Sequence, residues 1–111
     1  YHSKKREDLY FAGQMTGVEG YFESAGSGLV AGISAAAKAL GKPAPEFPRA
    51  TMLGAMSSYV ANGSNGAFLP MNANFGIIEP LPARVKGGKV AKNQALADRA
   101  LALIDGLRDN L

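Results

Sequence analysis

Glycines at positions 13, 17 and 20, set between an apolar run and a helical pattern, constrain the fold more than any other feature of the chain. Residues Asp8 to Ala12 (Asp-Leu-Tyr-Phe-Ala) are bounded by charge on one side and glycine on the other, the pattern of a short buried strand. From Tyr21 to Leu40, Leu29, Ile33, Ala36 and Leu40 recur at helical spacing and predict one apolar stripe. Strand, glycine turn and helix in that order predict an α/β unit. Ligands of such units usually sit beyond the strand end, where the helix N-terminus presents unpaired N–H groups and glycine admits a close approach. The spacing G-x-x-x-G-x-x-G is neither the dinucleotide fingerprint nor a phosphate loop. A ligand-contacting loop and a purely structural turn therefore both stay open.

The same helical stretch holds Gly26, Gly28 and Gly32. Each costs a helix about 1 kcal/mol relative to alanine, which predicts another backbone packed closely against it. Gly41 caps the helix, and Pro43 and Pro45 prevent its resumption. Thr51 is the predicted N-cap of a second helix running to about Val60, with Leu53, Met56 and Val60 on one face. Asn62 to Gly66 reads as a turn cluster, and Phe68 to Pro82, broken by Pro70, Pro80 and Pro82, as an ordered extended segment. Arg84, Lys86, Lys89 and Lys92 surround Gly87-Gly88 with no acid among them. A final amphipathic helix is expected over about Asn93 to Leu111, with Leu96, Ala100, Leu103 and Leu107 in a seam.

Composition closes off several chemistries. With no cysteine, the chain has no disulfide framework, thiolate zinc site or cysteine nucleophile of its own. The single histidine, His2, argues against a metal centre or a histidine-based triad, so no catalytic residue and no metal ligand is expected here. No apolar run reaches the roughly 18–20 residues of a membrane span, and a cytoplasmic location is expected. A charge of +3 and a pI near 9.3 suit an anionic partner without requiring one. The opening at Tyr1, with Lys4-Lys5-Arg6 leading into the apolar run, reads as the middle of a longer protein.

Three ordered blocks carry a resemblance. Gly13-Gln-Met-Thr-Gly-Val-Glu-Gly-Tyr21, with Glu23-Ser24-Ala25 and Ser27-Gly28-Leu29, is the first. Pro48-Arg-Ala-Thr51 with Leu53-Gly54-Ala55 is the second, and Phe68-Leu-Pro-Met-Asn-Ala-Asn-Phe-Gly76 with Pro80-Leu81 the third. Together they resemble the folate- and FAD-dependent tRNA (uracil-5-)-methyltransferases, the TrmFO or Gid family. The likeness is close over residues 9 to 81 and looser beyond Arg84. Leu69 stands where the family usually has glutamine.

The resemblance implies an α/β fold: residues 1–47 as the end of an FAD-binding Rossmann-like domain (its last strand and helix), and 48–111 as a small, mainly helical C-terminal part with an extended proline-rich segment. It implies a parent enzyme that uses methylenetetrahydrofolate, FAD and NAD(P)H to methylate C5 of a T-loop uridine in tRNA. The family's pyrophosphate-binding glycines and catalytic cysteines lie upstream, so this piece alone is expected to be inactive. Gly13, Gln14, Met15, Thr16, Gly20 and Tyr21 are then the cofactor-binding candidates, meeting the flavin mainly through backbone. Asn72 and Asn74 suit a flat heterocycle such as pterin, or else simply fix their own turns. Glu19 and Glu23 are read as complements to the helix dipole. Lys86 and Lys89 are candidates for tRNA phosphate, against the plainer reading of a solvated loop. The partners implied are tRNA and the upstream part of the same protein, with self-association of the piece left open. The alternatives are a related flavoprotein acting on wobble uridine, which shares Phe11-Ala-Gly-Gln14, and a free-standing basic helical module binding RNA or protein.

Overall fold

The computed structural model describes residues 1–62, 72–83 and 85–109. Leu69 and Pro70, Arg84, the turn cluster beyond Asn62 and the last two residues of the expected final helix lie outside them. The described elements are three helices, α1 (Tyr21–Ala39), α2 (Met52–Asn62) and α3 (Gly88–Arg108), with single 3-10 turns at Gln14–Thr16 and Phe75–Ile77.

No strand forms among the described residues, which corrects the expectation for Asp8 to Ala12. That segment folds back on the N-terminus instead, with one isolated antiparallel bridge between His2 and Tyr10. Ser3 N–H donates to Leu9 O at 2.6 Å and Phe11 N–H to Tyr1 O at 3.0 Å. At the tip, the Arg6 guanidinium bonds both carboxylate oxygens of Asp8 and holds that carboxyl below its usual range. A lone two-stranded ribbon is marginal in water. Among the described residues no third strand faces it, and Leu9 and Phe11 are exposed.

The helix ends follow their sequence signals. Beyond α1, Gly41 is left-handed (φ +70). Its N–H donates to Lys38 O at 3.2 Å and that of Lys42 to Ala37 O at 2.9 Å, the paired bonds of a Schellman cap. Thr51 caps α2, its Oγ1 accepting from Gly54 N–H at 3.1 Å. The final helix starts at Gly88 rather than Asn93, because Gly87 adopts the left-handed conformation that turns the chain into it.

α2 is the hub of the packing. One side joins Met56, Leu53, Tyr59 and Val60 to Val18, which follows the first 3-10 turn. The other joins Ala55 and Met52 to Ile78 and, on α3, Leu96. The extended strap 78–82 is pinned between the two helices. Glu79 N–H donates to Arg49 O at 3.1 Å, and Arg99 of α3 donates to the backbone oxygens of Glu79 and Pro80.

The apolar stripe expected on α1 is not its buried face. Ser27, Val30 and Ala31 are buried, while Leu29 and Leu40 are exposed. α2 reaches α1 at Gly26, where an added Cβ would lie 3.0 Å from Leu53 Cδ2 and 3.3 Å from Met56 Cε. Gly28 and Gly32 have nothing within 4 Å, so the close neighbour predicted for the helix glycines exists only at Gly26, and it is side chain rather than backbone. The seam of α3 is likewise packed chiefly at Leu96, and Leu103 is exposed.

The second sequence block acquires a steric reason. Thr51 Oγ1 and N–H both donate to Pro48 O, at 2.6 and 2.9 Å, drawing that carbonyl against the first turn of α2. A Cβ on Gly54 would collide with the carbonyl oxygens of Pro48 and Phe47. Gly54→Ala is therefore expected to cost about 3 kcal/mol through overpacking. Thr51→Ala should cost about 1–2 kcal/mol through the lost cap. Urea unfolding of both variants checks the order, and Thr51→Ser should recover most of the loss.

Candidate functional site

The glycine turn is built from the inside out. Gly13 (φ 78, ψ −163) and Gly20 (φ 94, ψ 160) both occupy backbone regions that side chains essentially exclude. Between them, Thr16 N–H donates to Gly13 O at 2.9 Å and Gly17 N–H to Gln14 O at 3.0 Å, closing the 3-10 turn. Thr16 Oγ1 adds a bond to Gly13 O at 2.7 Å. Val18, fully buried, anchors the turn on α2.

Ser27 ties the turn to α1. Its Oγ accepts from Gly13 N–H at 2.7 Å and donates to Ser24 O at 2.8 Å, and the side chain is wholly buried. The Gly13 amide is thus committed within the chain, and the Thr16 and Gly17 amides are committed to the turn. Gln14 and Met15, both exposed, lie at the outer edge with their amides outside these bonds. Met15 is 75% exposed, and at the helix entry Tyr21 is 96% exposed.

Asn72 joins this group from a distant part of the sequence. An added Cβ on Gly20 would lie 3.3 Å from Asn72 Oδ1 and would collide with the Glu23 carboxylate. Glu23 Oε1 in turn accepts from Ala73 N–H at 3.0 Å. Asn74 serves its own turn, with Oδ1 accepting from Gly76 N–H at 2.8 Å and Nδ2 donating to Asn72 O at 3.0 Å. Of the two asparagines, Asn72 is the one beside the glycine turn.

Lys86 and Lys89 occupy a different surface, at the start of α3. Lys86 and Lys92 line an open hollow with Pro80, Leu81, Pro82 and Val85. No acid lies in the first turn of α3, so the lysines there add positive charge to a helix end that is already positive. Among the described residues, no group of His, Cys, Asp and Glu could hold a metal ion. No helix among them is long and apolar enough to cross a membrane.

Comparison with known proteins gives this geometry a context. The family profile "Glucose inhibited division protein A" matches residues 1–43. The methylenetetrahydrofolate–tRNA-(uracil-5-)-methyltransferase TrmFO of Enterococcus faecalis is 56% identical over 101 residues, 91% of this chain and 23% of that protein. Its namesakes from Staphylococcus saprophyticus and Anoxybacillus flavithermus are 54% and 52% identical, each over 100% of this chain and 26% of their own length. The chain belongs to the TrmFO family. It spans about a quarter of the length of these TrmFO relatives.

Sequence reasoning missed the roles of three residues that build this segment. Ser27 is a small polar residue on a helix otherwise rich in alanine and glycine, which is the signal of a buried local acceptor. Glu23 stands three residues after Gly20, an N-cap with no side chain to bond back to it, so only half of a capping box can form there. Arg99 gave no signal beyond being a cation among apolar neighbours. Ser27→Ala should leave the Gly13 amide buried without an acceptor. The expected loss is about 1–3 kcal/mol, read by thermal unfolding, with faster hydrogen exchange at Gly13 than in Ser27→Thr.

Proposed function

We propose that this chain forms one wall of a flavin site in an enzyme that methylates C5 of a T-loop uridine in tRNA. The one-carbon unit comes from methylenetetrahydrofolate, and the reducing equivalents come from NAD(P)H through FAD. On this reading residues 1–47 complete the flavin-binding domain, residues 48–111 form its helical C-terminal part, and the enzyme works in the cytoplasm. The ribbon at 8–12 becomes the last strand of a Rossmann-like sheet when upstream strands pair with it.

The observation that carries the reading is the preformed glycine turn, with Gln14 and Met15 exposed at its edge, running directly into the entrance of α1, where Asn72 comes up beside Gly20. The surface suits a flat cofactor. A Cβ on Gly13 would meet nothing within 4 Å, and Met15 and Tyr21 offer exposed apolar area. Gln14, Met15 and Thr16 would hold the cofactor from the turn, and Gly13, Gly20 and Tyr21 from the two hinges. The Gly13 contribution is shape rather than a donated hydrogen bond, since Ser27 takes its N–H. When bound, the flavin supplies the hydride that reduces the transferred carbon to a methyl group. Asn72 would orient the pterin, and Lys86 and Lys89 would meet tRNA phosphate.

A flavoprotein acting on wobble uridine shares Phe11-Ala-Gly-Gln14, but Gly17-Val18-Glu19-Gly20 in the same turn argues against it. Relatives that match over the whole chain carry the uracil-5 name, which favours the first reading.

The test uses the full-length protein. It should purify yellow and transfer a labelled methyl carbon to uridine C5 of a tRNA transcript; a colourless protein inert on that transcript would overturn the proposal. Gln14→Ala and Tyr21→Ala alter exposed side chains, so thermal stability should hold while the flavin Kd rises about tenfold, or about 1.4 kcal/mol. Flavin fluorescence titration reads this directly. Replacing Lys86 and Lys89 with Gln should lower the slope of log affinity for tRNA against log salt by about one per lysine. Filter binding across a salt series measures that slope.

A further inference from the structure

We infer that Glu23 is a positioning residue that fastens the asparagine loop 72–76 to the entrance of α1 and so fixes Asn72 at the flavin wall. The inference deepens the proposed function and rests on it. Glu23 occupies the third position of α1, where a carboxylate ordinarily folds back onto the N–H of the capping residue. Here the cap is Gly20, and the carboxylate lies over it with one oxygen turned to the asparagine loop. Its Oε1 takes the Ala73 N–H at 3.0 Å, a contact that spans 50 residues of sequence.

Three features converge on this bond. The collision that a Cβ on Gly20 would make with the Glu23 carboxylate gives the glycine a second reason beyond its φ of +94: it leaves the carboxylate room to lie across the corner. Asn72 Oδ1 reaches the same corner, 3.3 Å from the position a Gly20 Cβ would take. Asn74 stiffens the loop from the other side through its bonds to Gly76 N–H and Asn72 O. A side chain that must meet a ligand at hydrogen-bond distance needs its backbone held to within about half an ångström. The Glu23 bond, charged at one end, is the described link that gives residue 73 that restraint. Glu23 therefore acts through Asn72 and not on the reacting atoms.

The experiment compares full-length wild type with Glu23→Ala and Glu23→Gln. Glutamine keeps an acceptor oxygen at the same reach, and alanine removes it. Hydrogen exchange of peptides covering 72–76, measured on the protein without folate or tRNA, should quicken about tenfold in Glu23→Ala and stay near wild type in Glu23→Gln. In turnover, Glu23→Ala should raise the KM for methylenetetrahydrofolate about tenfold while kcat and flavin content change less than twofold, with Glu23→Gln largely restoring KM. Unchanged exchange at Ala73 in Glu23→Ala would overturn the inference, as would equal KM defects in the two variants. A wild-type protein without flavin or tRNA methylation would sink the proposed function instead, and the exchange measurement would still decide the Glu23 link.

Discussion

One carbonyl group organises this segment. The oxygen of Pro48 receives both the N–H and the hydroxyl of Thr51 and lies where a side chain on Gly54 would have to go. Proline fixes the approach, threonine grips the oxygen and caps the helix, and glycine vacates the space. That joint sets the direction of α2, and α2 is the element on which the other packing is built. Val18 and the glycine turn rest on one side of it, Ile78 and Leu96 on the other, and Gly26 of α1 lies against its Leu53 and Met56.

The geometry of the glycine turn follows from this support. Its conformation is held by internal bonds, and Ser27 supplies the deepest of them, so the turn needs no ligand to take shape. Preorganisation of that kind has a cost: amides used to build the turn are withdrawn from recognition. Gly13 illustrates the exchange. A donor by sequence logic, it serves instead as a spacer with open volume beside it.

Signals confined to a few neighbouring residues were legible in the sequence. The limits of α1, the left-handed cap at Gly41, Thr51 as a cap and the face of α2 built on Met56 all depend on nearest-neighbour chemistry. Orientation was not legible. Leu29, Ile33, Ala36 and Leu40 form a periodic stripe, but periodicity names a face without naming what covers it, and the buried face of α1 runs instead through Ser27, Val30 and Ala31. The strand reading of Asp8 to Ala12 has no sheet among the described residues for the same reason, since a strand is defined by partners that a local pattern cannot supply. The grouping at the site divides along this line too. Gly13 to Tyr21 was readable as one unit, whereas the arrival of Asn72 through a carboxylate on α1 depends on a contact across 50 residues.

Arg99 grips the strap 78–82 by the backbone oxygens of Glu79 and Pro80. Main-chain oxygens are common to every amino acid, so this attachment does not itself read the side chain at 79, while Pro80 fixes the local path. The side chain at 79 can change while the path of the chain stays put, provided the N–H at 79, Pro80 and the arginine are kept. Variation there would record freedom at the surface and conceal a fixed route beneath it.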